Sequence, residues 1–303
     1  MKVKNIIDFL DLRNVKYEFN GDKNIEILGY SSIFHYKEGT VSWLRDIETL
    51  KKNKLNYSDN FTCIITKDEI NRFEQTNAHI RVANPKEIFF EIVNNFWGDK
   101  LSREVSNHAI VEDGAVIGEN PSIGPFTYIS SQAHIGDNCT IGANVSIKGQ
   151  VEIGNDCVIQ SGSVIGEDGF GFVKDANIIK YVNHLGGVTI GDNVHIGAQT
   201  CICRGSIDNT YIGEYTKIDN LCHIAHNVEI GKSCIIVAGT TIMGSVHIGN
   251  DCWISTSIIR DLSRLGDNCT VGMGSVVTKD VISGDTVIGN PACQFNRHNS
   301  LWK

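Results

Sequence analysis

The sequence predicts a small α/β domain followed by a parallel β-helix, a chain wound into a three-sided prism. Three observations carry that expectation. From about residue 107 an aliphatic residue followed by glycine recurs in register, at Ile117-Gly118, Ile123-Gly124, Ile135-Gly136, Ile141-Gly142, Ile153-Gly154 and Ile165-Gly166, and again from Ile190-Gly191 to Ile288-Gly289. The steps alternate between 6 (117 to 123) and 12 (123 to 135), later settling near 18, which is the period of a hexapeptide solenoid. Finally, the residues before 104 lack this period and mix helix and strand patterns.

The N-terminal elements follow from their apolar spacing. Ile6, Ile7, Phe9, Leu10 and Leu12 predict an amphipathic helix, and residues 25–29, 40–44, 62–66 and 79–83 read as strands. Asn84-Pro85 opens a second helix that runs through Trp97, with Ile88, Phe89, Ile92, Val93 and Phe96 on its apolar side. Residues 1–103 thus form one domain, 104–290 the β-helix and 291–303 a C-terminal tail. The first domain has no glycine-rich phosphate loop, so a nucleotidyl-transferase head is not expected.

Within the β-helix each hexad is a short strand and a corner, and three hexads close one coil. Roughly nine coils at the usual strand spacing make a prism about 45 Å tall. The first aliphatic residue of a hexad points inward, and the fifth position must be small or β-branched. Cys139, Cys157, Cys222, Cys234, Cys252 and Cys269 fill that fifth slot and read as reduced core residues with no metal or redox role. Cys201 and Cys203, two apart on a strand, read as packing or surface residues. Between Gly166 and Val188 the repeat yields to a loop, about 167–188, rich in glycine, aromatic and polar residues. Such expelled loops land outside a solenoid and often carry binding residues.

Composition excludes several classes. With 27 Lys and Arg against 35 Asp and Glu, the net charge of −8 argues against a nucleic-acid binder. No apolar run approaches the roughly 18 residues of a membrane span, so no transmembrane segment is expected. Charges break the first apolar stretch, so it does not read as a signal peptide, and the expected location is cytoplasmic.

The histidines are sorted by register. His134, His195, His223 and His247 each precede an inward isoleucine and face outward as surface dressing. His226 instead takes the third position of its hexad, where other hexads carry Asp137, Asn155, Asp192, Glu214 or Asn250. One coil on, Gly244 holds the same slot. A glycine stacked over a histidine leaves open space and an accessible N–H, an arrangement suited to acyl transfer by a base and an oxyanion donor.

The segments GEDGFGF (166–172), RGSIDNTYIG (204–213) and IDNLCHIAHNVEIG (218–231) resemble the bacterial UDP-3-O-acylglucosamine N-acyltransferases of lipid A synthesis. GTVSWLRD (39–46) and the ANP of 83–85 resemble that family's uridine-binding domain. The resemblance covers about residues 1–250. It implies a left-handed β-helix and a cytoplasmic homotrimer with active sites between neighbouring prisms. It also implies a nucleotide-linked amino sugar as acceptor, an acyl-thioester co-substrate, and no bound cofactor or metal. By position, His226 is then the catalytic base, Gly244 the oxyanion donor and Asn227 the residue beside the base. Asp219 and Asn220 fall near the sugar, as do Phe170 and Phe172 of the loop. Asn227 or Asp219 holds the imidazole tautomer. Trp43 and Asp46 stand where the family's uridine pocket carries a Phe and an Asn; Trp43 can stack on a base, whereas an ionised Asp46 cannot donate.

The chain runs 13 residues past Asn290, where the family continues into a helical extension implicated in carrier docking. Its last coils, 251–261 and 271–281, with GNPA at 289–292, look more like CoA-dependent sugar acetyltransferases. The family's second active-site histidine has no counterpart around Leu262-Ser263. The donor is accordingly acyl-carrier protein or coenzyme A. The close alternative is a CoA-dependent N-acyl- or acetyltransferase acting on a dideoxy amino sugar nucleotide for a surface glycan. A metal-dependent hydratase would need three converging histidines, and strand alternation sends His223 and His226 in different directions. A sugar-binding or scaffold prism is the non-enzymatic alternative.

Overall fold

The computed structural model describes residues 1–52, 61–69, 76–98 and 102–294. The chain divides into two compact units, Met1–Lys100 and Leu101–Lys303. The tail from 295 onward lies outside the described residues.

In the first unit, α1 (Val3–Leu12) buries Val3, Ile6, Ile7, Phe9 and Leu10, and Leu12 sits on the solvent face at 83% exposure. A five-stranded sheet follows, ordered β1 (Tyr17–Gly21), β5 (Ala78–Val82), β4 (Cys63–Thr66), β3 (Thr40–Trp43), β2 (Gly29–Tyr30). Only the β1–β5 pair is antiparallel. A short helix, α2, spans Ile47–Lys52. Helix α3 (Pro85–Trp97) begins with proline at its first turn, where the missing N–H costs nothing, and buries Ile88, Phe89, Ile92 and Val93.

The strand expected at 25–29 is mostly irregular. Ile27 is buried, but its backbone N–H and C=O bond the carbonyl and amino group of Met1 instead of joining the sheet. Gly29–Tyr30 alone enters the sheet. The extra strand is β1, whose alternation of half-buried Tyr17 and Phe19 with exposed Glu18 and Asn20 was the period-2 signal for it.

The second unit is the left-handed parallel β-helix expected, with sheets of eight, nine and ten strands; its last pairing, Thr286–Gly289 with Ala292–Gln294, is antiparallel. Inward isoleucines stack in register from coil to coil, as in Ile135 on Ile153 on Ile190 on Ile212. The glycines that follow the eight-stranded sheet are required by proximity. A Cβ on Gly118, Gly136, Gly154, Gly191, Gly213, Gly231, Gly249 or Gly266 would meet the next coil at 2.3–2.8 Å.

The fourth hexad position turns the prism. Asn138, Asn144, Asn193, Asn227 and Asn268 all adopt φ of +56 to +57° there, the left-handed region that asparagine tolerates better than most residues. The fifth position explains the cysteines. Cys139 donates its S–H to Gly154 O, Cys157 to Gly191 O, Cys234 to Gly249 O and Cys252 to Gly266 O, each at 3.1 Å. Thr127, Ser163, Thr200 and Thr216 donate hydroxyls to the equivalent carbonyls. A small side chain with one donor is what that buried slot selects. The 166–188 interruption folds as an antiparallel hairpin, Phe172–Asp175 with Ile178–Tyr181.

Candidate active site

The strand His223–Ile224 ends at a corner of the nine-stranded sheet, and His226 emerges there beside the hairpin. Two glycines enclose its imidazole. A Cβ on Gly169 would stand 2.9 Å from Cδ2, and one on Gly244 would stand 2.8 Å from Cε1 and 2.9 Å from Nε2. Any larger residue at either place would displace the ring.

Asn227 fixes the protonation of that ring. Its Oδ1 accepts from the Ser206 N–H at 3.0 Å and the Ser206 hydroxyl at 2.7 Å, and its Nδ2 donates to Asp208 O at 3.2 Å. These partners assign the amide orientation. The same Oδ1 lies 3.1 Å from His226 Nδ1, and an amide oxygen only accepts. Neutral His226 therefore carries its proton on Nδ1, which leaves the Nε2 lone pair on the side of Gly244. Asp219 takes no part in this arrangement.

The amide above is exposed by a break in a repeated pattern. At other corners the third-position N–H is capped by the side chain one coil on: Asp137 by Asn155, Asn155 by Asp192, Lys232 by Asn250 and Asn250 by Asp267. Gly244 has no side chain to cap His226, and Asp261, one coil further, does not cap Gly244. Among the described residues the Gly244 N–H has no hydrogen-bond acceptor. A base and a free donor thus stand side by side.

The hairpin supplies groups that the register could not reveal. His184 is buried, its ring edge-on to His226 at 5.2 Å between centroids, and among the described residues its Nδ1 has no hydrogen-bond partner. Gly171 makes room for it, since a Cβ there would fall 2.5 Å from His184 Cε1. The roots of the hairpin are tied by Arg204, which donates to Gly166 O at 2.7 Å and Lys148 O at 3.1 Å and pairs with Asp168 at 3.4 Å. Burial alone would raise the Asp168 pKa. The Tyr181 hydroxyl, the His184 backbone N–H and the Arg204 charge outweigh it and hold the carboxyl below the ordinary range.

Beside the base lies a cleft of about 520 Å³ whose walls include Met243, Ile258, Leu262 and Val276, with Arg260 and Thr278 at its polar side. This apolar groove suits an acyl chain. The other expected residues lie elsewhere. Asp219 and Asn220 occupy the previous edge of the coil, where Asp219 accepts from the Asn220 and Ala238 N–H groups and Asn220 from Ala198 N–H. Phe170 and Phe172 meet at the hairpin with ring centroids 4.8 Å apart and planes tilted by 56°, the former 84% exposed. In the first unit, Trp43 lines a cleft of about 750 Å³ with Arg45, Lys67, Asn84, Lys86 and Phe90. Asp46 does not line it but pairs with Lys67 at 3.7 Å and Arg45 at 3.5 Å.

A hexad prism with an imidazole and an uncapped amide at one edge defines a hexapeptide-repeat transferase. The model for bacterial transferase hexapeptide (six repeats) matches residues 114–149 and 133–167, and that for the GMPPB C-terminal domain matches 206–295. The UDP-3-O-acylglucosamine N-acyltransferase of Delftia acidovorans is 39% identical over 234 residues, 75% of this chain and 69% of that protein. UDP-3-O-acylglucosamine N-acyltransferase 2 of Legionella pneumophila (strain Philadelphia 1) is 42% identical over 139 residues, 46% of this chain but 40% of the relative's own length. Solved UDP-N-acetylglucosamine acyltransferases of Campylobacter jejuni and Bacteroides fragilis superpose with TM-scores of 0.57 and 0.58 at 25% and 29% identity. They cover 64% and 63% of this chain and 74% of each of their own. The chain belongs to the UDP-3-O-acylglucosamine N-acyltransferase family. Among the described residues no helix is long and apolar enough to cross a membrane.

Proposed function

We propose that this chain moves an acyl group from a thioester to the amine of a nucleotide-linked amino sugar. The observation that carries the reading is the pairing of the His226 Nε2 lone pair with the uncapped Gly244 N–H. The sugar amine attacks the thioester carbonyl and passes its proton to Nε2. The Gly244 N–H bonds the oxygen as it gains charge, and collapse of the tetrahedral intermediate forms the amide and expels the thiolate, which takes the proton back from His226 Nε2 and leaves as the thiol. The cleft of Met243, Ile258, Leu262 and Val276 takes the acyl chain. In the first unit, Trp43 offers a stacking face for a base, and Arg45, Lys67 and Lys86 offer charge for a diphosphate. This chemistry needs no metal or bound cofactor, and its activated, soluble substrates support a cytoplasmic location. A homotrimer is supported by the exposed apolar side chains of the hairpin, among them Phe170, Ile178 and Ile179.

The test is turnover of His226→Ala with acyl-carrier protein and coenzyme A thioesters, each offered with UDP- and dTDP-linked amino sugars. General-base catalysis contributes roughly 10²–10⁴-fold, so the variant should lose at least about 10²-fold while keeping its fold. Near-normal turnover would remove the mechanism. Product masses decide between the lipid A type of reaction and CoA-dependent acylation of a dideoxy amino sugar.

A further inference from the structure

We propose that Cys201, Cys203 and His223 form a binding site for a thiophilic d¹⁰ cation, with zinc as its representative, on the outer face of the nine-stranded sheet. Cys201 and His223 are direct partners on adjacent parallel strands, and Cys203 lies two residues further along the same strand on the same face. Between them Ile202 turns inward and is fully buried. One ligand atom from each of the three residues lies within 4.8 Å of the other two. In a tetrahedral site with Zn–S near 2.3 Å and Zn–N near 2.0 Å, ligand atoms stand about 3.5–3.8 Å apart. Closing the trio onto a cation therefore needs side-chain movement of about an ångström.

The remaining cysteines show why this group is different. Those in the fifth hexad position turn their S–H groups onto a backbone carbonyl of the next coil. The Cys201 and Cys203 thiols donate to no carbonyl among the described residues, and they lie close to each other and to the imidazole. Two thiolates and an imidazole are a soft donor set that selects zinc or a similar cation over calcium or magnesium. Three protein ligands leave a fourth coordination position for water or an exogenous ligand. Glu167, the strand partner of Cys203, is committed to Lys148 at 2.8 Å.

The proposal stands apart from acyl transfer, and its test reads metal content. The chain carrying Cys293→Ser, which removes an exposed thiol, is reduced, stripped with a chelator and titrated with zinc against a chromophoric competitor. One zinc per chain is expected, and cobalt in its place should give a thiolate-to-cobalt charge-transfer band. Cys201→Ser and His223→Gln alter half-exposed side chains and leave the inward isoleucines alone. Each should weaken zinc by more than the roughly 10–100-fold that loss of a supporting partner costs, with the melting temperature of the metal-free protein unchanged. Cys203→Ser should cut the charge-transfer band to about half, since one thiolate remains, and the Cys201→Ser/Cys203→Ser double variant should abolish it. Absence of tight zinc in the reduced chain, or zinc affinity unchanged in a Cys201→Ser/Cys203→Ser double variant, would overturn the assignment.

Discussion

Gly244 lies against the His226 imidazole, one coil above it, so close that a methyl group at Gly244 would stand 2.9 Å from Nε2. Its backbone is not in the left-handed region, so alanine fits the chain there and its three nearest atoms are all of the ring. Gly213 offers the opposite case: a Cβ would meet Gly231 C at 2.5 Å, its O at 2.6 Å and Lys232 N at 2.7 Å, all backbone. Gly244→Ala should therefore melt normally and lose about 10²-fold in turnover, the scale of a 1 Å misplacement of a reacting group. Gly213→Ala should cost about 1–3 kcal/mol as an overpacked site. Melting curves and initial rates on both variants check the contrast.

Asn227 gives a second separable outcome. Its Oδ1 accepts three hydrogen bonds, from Ser206 N–H, Ser206 Oγ and His226 Nδ1, and its φ is +56°. Asn227→Ala removes all three and places a less tolerant residue at a left-handed corner, so stability should fall by about 1–3 kcal/mol. Asn227→Gly relieves only the backbone part. Both variants release the Nδ1 proton from its acceptor and should lower turnover together, even though their melting temperatures differ. Turnover that followed stability instead would assign Asn227 a purely structural role.

The architecture was legible because a solenoid repeats its physics. One inward isoleucine, one asparagine corner and one small donor recur until the pattern is unmistakable, and His226 stood out as an intruder in that pattern. A further signal was present along the edge. Every strand of the eight-stranded sheet is followed by glycine, whereas Ile202, Ile224, Ile242 and Ile259 are followed by Cys203, Ala225, Met243 and Arg260. Side chains also replace glycine along the ten-stranded sheet, at Gln160, Asp219, Val237 and Ser255, so this break excludes one edge of the prism and leaves two. The role of Ser206 was hidden because it reaches Asn227 across a coil, 21 residues away. His184 was hidden because the inserted hairpin has no register to count from.

His184 is the residue whose contribution is best isolated by a conservative pair of variants. Its ring fills the space between Gly171 and His226, and its Nδ1 has no hydrogen-bond partner among the described residues. His184→Ala should open a void beside the base and reduce kcat about tenfold with little change in KM. His184→Gln, similar in length and able to donate, should recover most of that loss if the ring positions His226. Full activity in His184→Ala would exclude any part for it.

The order of the hairpin should depend on pH through Asp168. Its carboxyl titrates below the ordinary range because the folded hairpin gives it the Tyr181 hydroxyl, the His184 backbone N–H and the Arg204 charge, against the opposing effect of burial. A group whose folded pKa is depressed stabilises the folded form above its unfolded value, near 3.9, and that contribution disappears as pH falls through the folded value. Glu167, paired with Lys148, and the His184 side chain also face this region, so the variant carries the assignment. Amide protection factors across 170–183 should be constant from pH 7 to about pH 5 and then fall toward pH 3. Asp168→Asn should show reduced protection at pH 7 and a much flatter profile below pH 5. A wild-type profile as flat as that of the variant would mean that Arg204 and the backbone hold the hairpin without the carboxylate.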